Sequence, residues 1–270
     1  MSNNTSERPN HRLSTGGMTH QALGAQLLGA ELPLHGAVFY LSPLATDAFA
    51  PARGGVPVLF PQFADTGSLR KHGYVRDLPW TLGECRNEAG VATVCYALEI
   101  SDGDIEAWPH GARLQMKAAL LPDRLTIELG IENIGTSAFT FTGGLHPYFF
   151  VQDLRHMRIS GLQGVKVHDR YQPLLAVEEA QALALDAAPF ERLYDGCPDL
   201  TLWTGEKQLT LSASGFDQWM VWNPGETGAR QLADLPDADW QRFVCIEPVR
   251  VARPVCLAPG ETFSGTLTIT

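Results

Sequence analysis

The sequence RLQMKAALLPDRLTIELGIE, residues 113–132, decides the fold class. From Leu125 to Ile131, aliphatic residues occupy every second position, with polar residues or glycine between them. This period of two places one face of a β-strand against a core and the other toward solvent. Residues 113–121 form a second strand-like run, and Pro122 and Asp123 between the two runs favour a tight turn. The stretch therefore predicts an antiparallel hairpin.

Further strand-like runs occur on both sides of this hairpin, most of them bounded by Gly, Pro, Asp or Asn. They are residues 92–100, 138–142, 208–213, 218–222, 243–246 and 263–269. Helical patterns are few and short, the best being residues 177–184 and a turn that opens near Asp237. Many strands without long crossover helices predict an all-β protein built as a large antiparallel β-sandwich.

The organisation of the chain indicates one folded unit. Residues 1–17 are polar and predict a flexible N-terminal tail. No linker rich in Pro, Gly or Ser and no internal repeat divides the remainder. Residues 18–270 are therefore predicted to form a single domain.

Charge and composition exclude several classes of function. A formal net charge of -10 disfavours nucleic-acid binding. No apolar run approaches the roughly 20 residues that a membrane helix needs, and the first residues lack a signal-peptide core. We therefore expect a cytoplasmic monomer without membrane contact. The five cysteines are widely spaced without a Cys-x-x-Cys pair, and the histidines lack the helical spacings of metal ligands, so we expect reduced thiols and no metal site.

Residues 52–80 contain the first candidate site. Arg53 precedes Gly54 and Gly55, and Arg76 follows in the run KHGYVRDLPW. Paired glycines let the backbone approach a ligand closely, and the planar guanidinium groups match the oxygens of a phosphate. The spacing fits neither a phosphate-binding loop nor a dinucleotide-binding loop. The segment indicates an anion pocket, with a glycine turn and two solvated arginines as the alternative.

Two further segments carry groups that can transfer protons. His146 lies in GGLHPYF, residues 143–149, and histidine titrates nearest to neutral pH. Glu247 ends the apolar run of RFVCIEP, where a buried carboxylate needs a partner, a ligand or water. Pro248 is expected to stop that strand and hold Glu247 at the end of a sheet. The alternatives are a hydrogen-bonded core histidine and a buried ion pair of Glu247 with Arg250.

At these segments the sequence resembles the aldose 1-epimerase superfamily, and within it the glucose-6-phosphate 1-epimerase branch. The runs ARGGVPVLFPQF and KHGYVRDLPW are similar to that branch's Arg-Gly-Gly-Ile-Pro, Pro-x-Phe and His-Gly-Phe-Ala-Arg motifs. GLHPYF is similar to its Leu-His-Thr-Tyr-Phe motif, MVWNPG to its Val-Val-Trp-Asn-Pro motif, and RFVCIEP to its terminal catalytic strand. The motifs keep the family order from Arg53 to Pro248, so their joint occurrence is specific.

The resemblance implies a galactose-mutarotase-type sandwich with a sugar cleft and no cofactor. It implies that His146 is the general acid and Glu247 the general base. The substrate contacts that it implies are Arg53 and Arg76 to a 6-phosphate, His72 to sugar oxygens, Glu191 to sugar hydroxyls, and Gln62. Glu191 replaces an Asp of the branch, HGYVR replaces HGFAR, and WNPG lacks a second tryptophan. These departures leave the preferred hexose open.

The implied reaction is anomer interconversion of a hexose 6-phosphate. Glu247 would take the proton from O1 while protonated His146 donates to O5, and the roles would reverse on ring closure. The neighbouring carboxylate is expected to keep His146 protonated. Two other functions remain open: a non-catalytic carbohydrate-binding module, and a glycoside hydrolase that uses Glu191 and Glu247 as its pair of carboxyl groups.

Overall fold

The computed structural model describes residues 12–47 and 50–270, and β-strands dominate them. The strands are β1 Arg12–Thr15, β2 Met18–Gln21, β3 Leu27–Leu32, β4 Gly36–Ala37, β5 Val58–Leu59, β6 Thr81–Glu88, β7 Val91–Ile100, β8 Ala112–Leu120, β9 Leu125–Asn133, β10 Phe139–Leu145, β11 Tyr148–Phe150, β12 Arg158–Ser160, β13 Val167–Asp169, β14 Ala182–Leu183, β15 Phe190–Tyr194, β16 Leu200–Trp203, β17 Gln208–Ser214, β18 Gln218–Asn223, β19 Phe243–Leu257 and β20 Thr262–Ile269. The described α-helix is α1, Gly225–Ala229, and short 3₁₀ turns occur at Val75–Asp77 and Asp239–Arg242. The predicted all-β class is confirmed.

The predicted hairpin at residues 113–132 lies within a nine-stranded antiparallel sheet. Strands β8 and β9 pair along their whole length, with Leu120 opposite Leu125 beside the turn. Burial alternates along both strands, as the period of two predicts. The order of this sheet is β14-β12-β16-β17-β20-β9-β8-β7-β6.

A second, seven-stranded sheet provides the other layer, and a four-stranded sheet contains β1 to β4. The order in the seven-stranded sheet is β13-β15-β18-β19-β10-β5, with β11 also paired to β19. Apolar residues from both large sheets, such as Ile127 in β9 and Trp219 in β18, belong to one buried cluster. This shared core holds the two layers together as a sandwich.

The predicted flexible tail, residues 1–17, is wrong for Arg12–Thr15. Residues 1–11 lie outside the described part of the chain, but Arg12–Thr15 already forms strand β1. It pairs with β2 from Thr15 opposite Met18 to Arg12 opposite Gln21. The polar composition concealed this strand because β1 gains its partner through a turn at Gly16 and Gly17, both with positive φ.

Two local expectations were wrong. Residues 177–184 are not helical: Glu178 is buried and accepts hydrogen bonds from Arg192 and Tyr194, which anchors an extended segment. Pro248 does not stop its strand, because β19 continues to Leu257. On one side, β19 pairs with β11 as far as Cys245 and with β10 from Val249 onward. Pro248 lies between these two ladders, where no partner strand needs its missing N–H.

Within residues 12–47 and 50–270, no helix has the length and apolar character needed to traverse a lipid bilayer.

Candidate active site

Strand β19 brings His146 and Glu247 together through sheet register. In its ladder with β10, Gly144 is opposite Val249, and in its ladder with β11, Tyr148 is opposite Cys245. Residues 146 and 147 separate β10 from β11, and the register is the same before and after them. This register puts His146 directly opposite Glu247. Such cross-strand neighbours lie on the same face of a sheet with their Cβ atoms about 5 Å apart. The predicted convergence of these two residues is therefore a consequence of strand pairing.

The two side chains form a buried pair. His146 Nε2 lies 3.3 Å from Glu247 Oε1, and the side chains are 10% and 2% exposed. The alternative ion pair of Glu247 with Arg250 does not form, because Arg250 instead lies 3.0 Å from Asp217. The imidazole and the carboxyl group can therefore exchange a proton with a ligand in the same cavity.

Burial sets the protonation of this pair in the ligand-free protein. Desolvation, followed by the influence of His72, lowers the pKa of His146 well below its usual value. Desolvation, followed by the charge of Glu191, raises the pKa of Glu247 well above its usual value. The expectation that the carboxylate keeps His146 protonated is therefore wrong for the empty cavity, where the neutral forms of both groups are favoured.

Aromatic rings hold the imidazole of His146 in place. The ring of Tyr148 is stacked on it, with centroids 4.9 Å apart and an interplanar angle of 14°. Trp222 and His72 meet it edge-on at 5.9 Å and 5.6 Å. This frame restricts rotation of His146 and excludes water from its faces.

His72 is fixed as a neutral hydrogen-bond donor. It has a φ of 65°, and its Nδ1 accepts a hydrogen bond of 3.2 Å from the backbone N–H of Ala64. Burial and the positive charge of Arg76 lower the pKa of His72 to about 3. A neutral imidazole that accepts at Nδ1 carries its proton on Nε2.

A cavity of about 510 Å³ opens in front of the pair, and its wall contains five cationic side chains. Such a volume is in the range of small-molecule sites. Three of the cations are already paired: Arg53 with Asp234 at 3.0 Å, Arg70 with Asp77 at 2.5 Å, and Arg170 with Glu191 at 3.1 Å. The other two, Lys71 and Arg76, form no salt bridge with any residue that the structure describes.

Arg76 is the cation most in need of an anionic ligand. Its Nε is buried and has no hydrogen-bond partner among the described residues. Burial lowers the pKa of Arg76, which means that the charged guanidinium is poorly compensated where it lies. Arg53 differs, because it also donates a hydrogen bond of 3.2 Å to the hydroxyl of Tyr148. The two arginines predicted to share one role thus have unequal surroundings.

The remaining predicted contacts divide into one that faces the cavity and one that does not. Glu191 lines the cavity and is opposite Trp222 in the pairing of β15 with β18. Gln62 is absent from the cavity lining, because its amide oxygen accepts from Leu69 N–H and its NH₂ donates to the carbonyls of Ala64 and Leu69. It braces the loop that carries His72, and its contact with substrate stays a prediction.

Sequence reasoning missed several residues of the site. Tyr148, Trp222 and Arg170 line the cavity, and so does Asp234, which lies between the MVWNPG and RFVCIEP motifs along the chain. Tyr148 could have been found, because it lies two residues after His146 and therefore on the same side of an extended strand. Asp234 lies in an irregular segment, so no periodicity marks it.

One buried group of side chains has the composition of a metal site. The ligand atoms of His146, Cys245 and Glu247 all lie within 4.8 Å of one another. Cys245 and the other four cysteines are free thiols, as expected.

Comparison with known proteins supports the motif analysis. The family model described as Aldose 1-epimerase matches residues 17–270. A protein of Cenchrus ciliaris named "Putative glucose-6-phosphate 1-epimerase" is 29% identical over 228 residues, which are 80% of this chain and 69% of that protein. A protein of the same name from Escherichia coli K12 is 31% identical over 202 residues, which are 72% of this chain and 66% of that protein.

Solved structures share the fold. The crystal structure of YeaD from Salmonella typhimurium superposes with a TM-score of 0.83 at 24% identity, over 93% of this chain and 85% of that chain. A galactose mutarotase-like protein from Clostridium acetobutylicum gives a TM-score of 0.71 at 16% identity, over 96% and 94% of the two chains. The predicted sandwich of the galactose-mutarotase type is confirmed by these similarities.

Proposed function

Since the chain belongs to the aldose 1-epimerase family and is therefore a sugar mutarotase, we propose that it interconverts the α and β anomers of a hexose 6-phosphate. The observation that carries this proposal is the buried pair of His146 and Glu247, with 3.3 Å between Nε2 and Oε1, at the wall of a cavity that also contains the unpaired Arg76. Acid–base groups and an anion receptor face one ligand-sized space.

The reaction needs two proton transfers and no change in oxidation state. The hemiacetal hydroxyl at C1 loses its proton, the ring oxygen O5 gains one, and the C1–O5 bond breaks to give the open aldehyde. Rotation about C1–C2 and the reverse steps close the ring with the other configuration. His146 and Glu247 hold one transferable proton between them, so one accepts while the other donates, and the pair is restored after closure.

Substrate binding determines which member of the pair holds that proton. In the empty cavity, burial favours the carboxylic acid and the neutral imidazole. Arg53 and Arg76 are among the groups that lower the pKa of His146. A phosphate bound to them cancels their positive potential and favours transfer of the proton to His146. This charge compensation gives the roles that the family resemblance implies, with Glu247 as base at O1 and His146 as acid at O5.

Arg76 is proposed as the main phosphate ligand, with Arg53 and Lys71 beside it. A desolvated guanidinium that forms no salt bridge with the described residues gains most from a dianion, because charge-assisted bonds supply the contacts that its buried Nε lacks in the empty protein. The names of the plant and bacterial relatives point to the same substrate class. His72 and Glu191 are proposed to contact the oxygens of the sugar.

Anomer-exchange NMR on variants of the pair tests the chemistry. Glu247→Gln and His146→Asn should each lower the rate on glucose 6-phosphate by ~10²–10⁴-fold, since each removes one proton-transfer group. His156→Asn is the matched control, because His156 is exposed and outside the cavity. Circular dichroism should show that all three variants are folded. Rates near those of the wild-type protein in both Glu247→Gln and His146→Asn would refute the assignment.

Selectivity for the phosphate is tested by Arg76→Ala. The second-order rate constant on glucose 6-phosphate should fall about 10–100-fold, the range for a lost charge-assisted hydrogen bond, while that on glucose changes little. Arg155→Ala provides a control at an exposed arginine. An equal fall of the rate constant on both sugars would show that Arg76 does not recognise the phosphate.

A further inference from the structure

Cys245 is a thiol close to the proton-transfer pair that the proposed reaction does not use. It precedes Glu247 by two residues in β19, so both side chains lie on the same face of the sheet. It is opposite Tyr148 on one side and Trp222 on the other, and it is fully buried. Its sulfur and the ligand atoms of His146 and Glu247 all lie within 4.8 Å of one another.

We infer that His146, Cys245 and Glu247 form a binding site for a borderline-soft divalent cation such as Zn²⁺, which blocks the cavity against sugar. An imidazole nitrogen, a thiolate and a carboxylate oxygen are the donors that zinc takes in proteins. Hard ions such as Mg²⁺ and Ca²⁺ prefer oxygen ligands throughout and do not match this set.

The geometry leaves the fourth coordination position open. Glu247 and His146 line the cavity, so a water molecule or a small ligand can complete a tetrahedron from that side. The pair already has a separation of 3.3 Å between Nε2 and Oε1, which is close to the ligand–ligand spacing in a tetrahedral zinc site. The sulfur of Cys245 lies within 4.8 Å of the other two ligand atoms, so metal binding requires it to move toward them.

Unused coordination capacity favours a ligand at this point. Glu247 Oε2 is buried and has no hydrogen-bond partner among the described residues, so the carboxyl group has a free acceptor beside the oxygen that faces His146. The carboxyl group is 2% exposed, so solvent does not satisfy it. A cation held by this side chain would remove an unfavourable feature of the empty site.

Charge balance resolves the objection that cationic side chains surround the site. A thiolate and a carboxylate together carry two negative charges, which cancel the two positive charges of the ion. The loaded site therefore has no net charge to oppose the arginines of the cavity wall. Burial raises the pKa of Cys245, so the ion must displace the proton of this thiol when it binds. A cation bound by carboxylates of the cavity wall alone would lack the thiolate that makes this site selective for soft metals.

Metal binding and sugar turnover would exclude each other. The ion takes both groups that the proposed mechanism uses for proton transfer, so inhibition follows if that mechanism holds. Binding itself does not depend on the proposed function.

Cobalt substitution tests the site directly. We expect one Co²⁺ per chain and a thiolate-to-cobalt charge-transfer band in the near ultraviolet, which Zn²⁺ displaces. Cys245→Ala should abolish the band and weaken Zn²⁺ binding at least tenfold, a loss of 1.4 kcal/mol or more. Cys256→Ala is the matched control, because Cys256 is an exposed cysteine in the same strand. Cys245→Ser provides a second variant if the alanine variant does not fold.

Several results would overturn the inference. They are a wild-type protein without the charge-transfer band, a band that survives in both Cys245 variants, or a band lost in Cys256→Ala. Anomer-exchange assays test whether the bound ion blocks the cavity. Zn²⁺ should inhibit the wild-type protein in competition with sugar, and folded Cys245→Ala should resist this inhibition. A cobalt band without inhibition would support the metal site and refute proton transfer by His146 and Glu247.

Discussion

Desolvation, more than any single charge partner, sets the chemistry of individual side chains in the cavity. It is the largest cause of the lowered pKa of His72, His146 and Arg76 and of the raised pKa of Glu247. Each of these groups is therefore biased toward its neutral form before substrate arrives. Under the proposed function, a sugar phosphate would favour the charged forms of Arg76 and His146, because its negative charge offsets their desolvation.

His72 should stay neutral throughout the physiological pH range. Its pKa is lowered to about 3, so the ring gains a second proton only in strong acid. We expect ¹⁵N NMR of the labelled imidazole to show the proton on Nε2 and no titration above pH ~4, with His72→Asn used to assign the signal. A titration midpoint near 6.5 would contradict the burial described for this residue.

At the scale of elements, close approach of strands β5 and β10 shapes the segment before His146. A Cβ on Gly143 would lie 2.1 Å from the carbonyl oxygen of Leu59, which is part of the backbone and cannot rotate away. Glycine is therefore required where β10 meets β5, three residues before the imidazole.

Substitution at Gly143 should damage stability and activity together. Gly143→Ala is expected to lower the free energy of unfolding by about 1–3 kcal/mol, as overpacking does, and to slow anomer exchange by displacing His146. Gly29→Ala is the control, because a Cβ there meets nothing within 4 Å. Urea denaturation measures the first effect and NMR exchange the second. Equal unfolding curves for the two variants would contradict the predicted clash.

A buried histidine connects β2 to the nine-stranded sheet. His20 Nδ1 lies 2.7 Å from the hydroxyl of Tyr96 and its Nε2 lies 3.0 Å from Thr15 Oγ1. Burial lowers the pKa of His20 to about 4, whereas the unfolded chain has the usual value of 6.5.

This shift predicts a loss of stability in mild acid. Below pH 6.5 the unfolded state binds a proton at His20 that the folded state does not, so the free energy of unfolding falls as the pH drops from 6.5 to 4. Urea midpoints measured across this window should decline less steeply in His20→Gln than in the wild-type protein. Parallel curves for the two proteins would rule out His20 as the source.

At the scale of the whole molecule, we propose that residues 18–270 form one cooperative domain. Strand β19 lies in the seven-stranded sheet and continues into β20 of the nine-stranded sheet, and the two sheets share one apolar core. Thermal unfolding should therefore give a single transition, with equal calorimetric and van't Hoff enthalpies. Two resolved transitions would indicate that the sheets unfold as separate units.

The sequence predicted the β class because alternation such as that of β9 is a local property. It failed at residues 177–184, where Glu178 binds Arg192 and Tyr194 from another strand, and at Pro248, where a gap in the neighbouring ladder tolerates proline. Both outcomes depend on partners distant along the chain. Composition alone could not have detected them.

For the site, the residues alone indicated His146 and Glu247 only as two separate candidates for proton transfer. The family resemblance predicted that the two side chains share one site, and the register of the sheet explains why they lie close together. The motif that contains Gln62 could not show that its amide forms hydrogen bonds within the loop, because those partners depend on the folded backbone. The pairing of Arg53 with Asp234, which distinguishes it from Arg76, depends on a long-range contact that no local pattern predicts.

If His146 and Glu247 carry the proposed proton transfer, the short connection between β10 and β11 makes strand register a condition of turnover. Deleting one residue between Gly144 and Tyr148 would turn the imidazole to the opposite face of the sheet, even if every other pair in the ladder re-formed. The length of this short segment is therefore fixed by the register of the strands on either side of it. In a chimaera that takes β10 and β11 from different parents, the catalytic rate would show whether both strands keep the same register against β19.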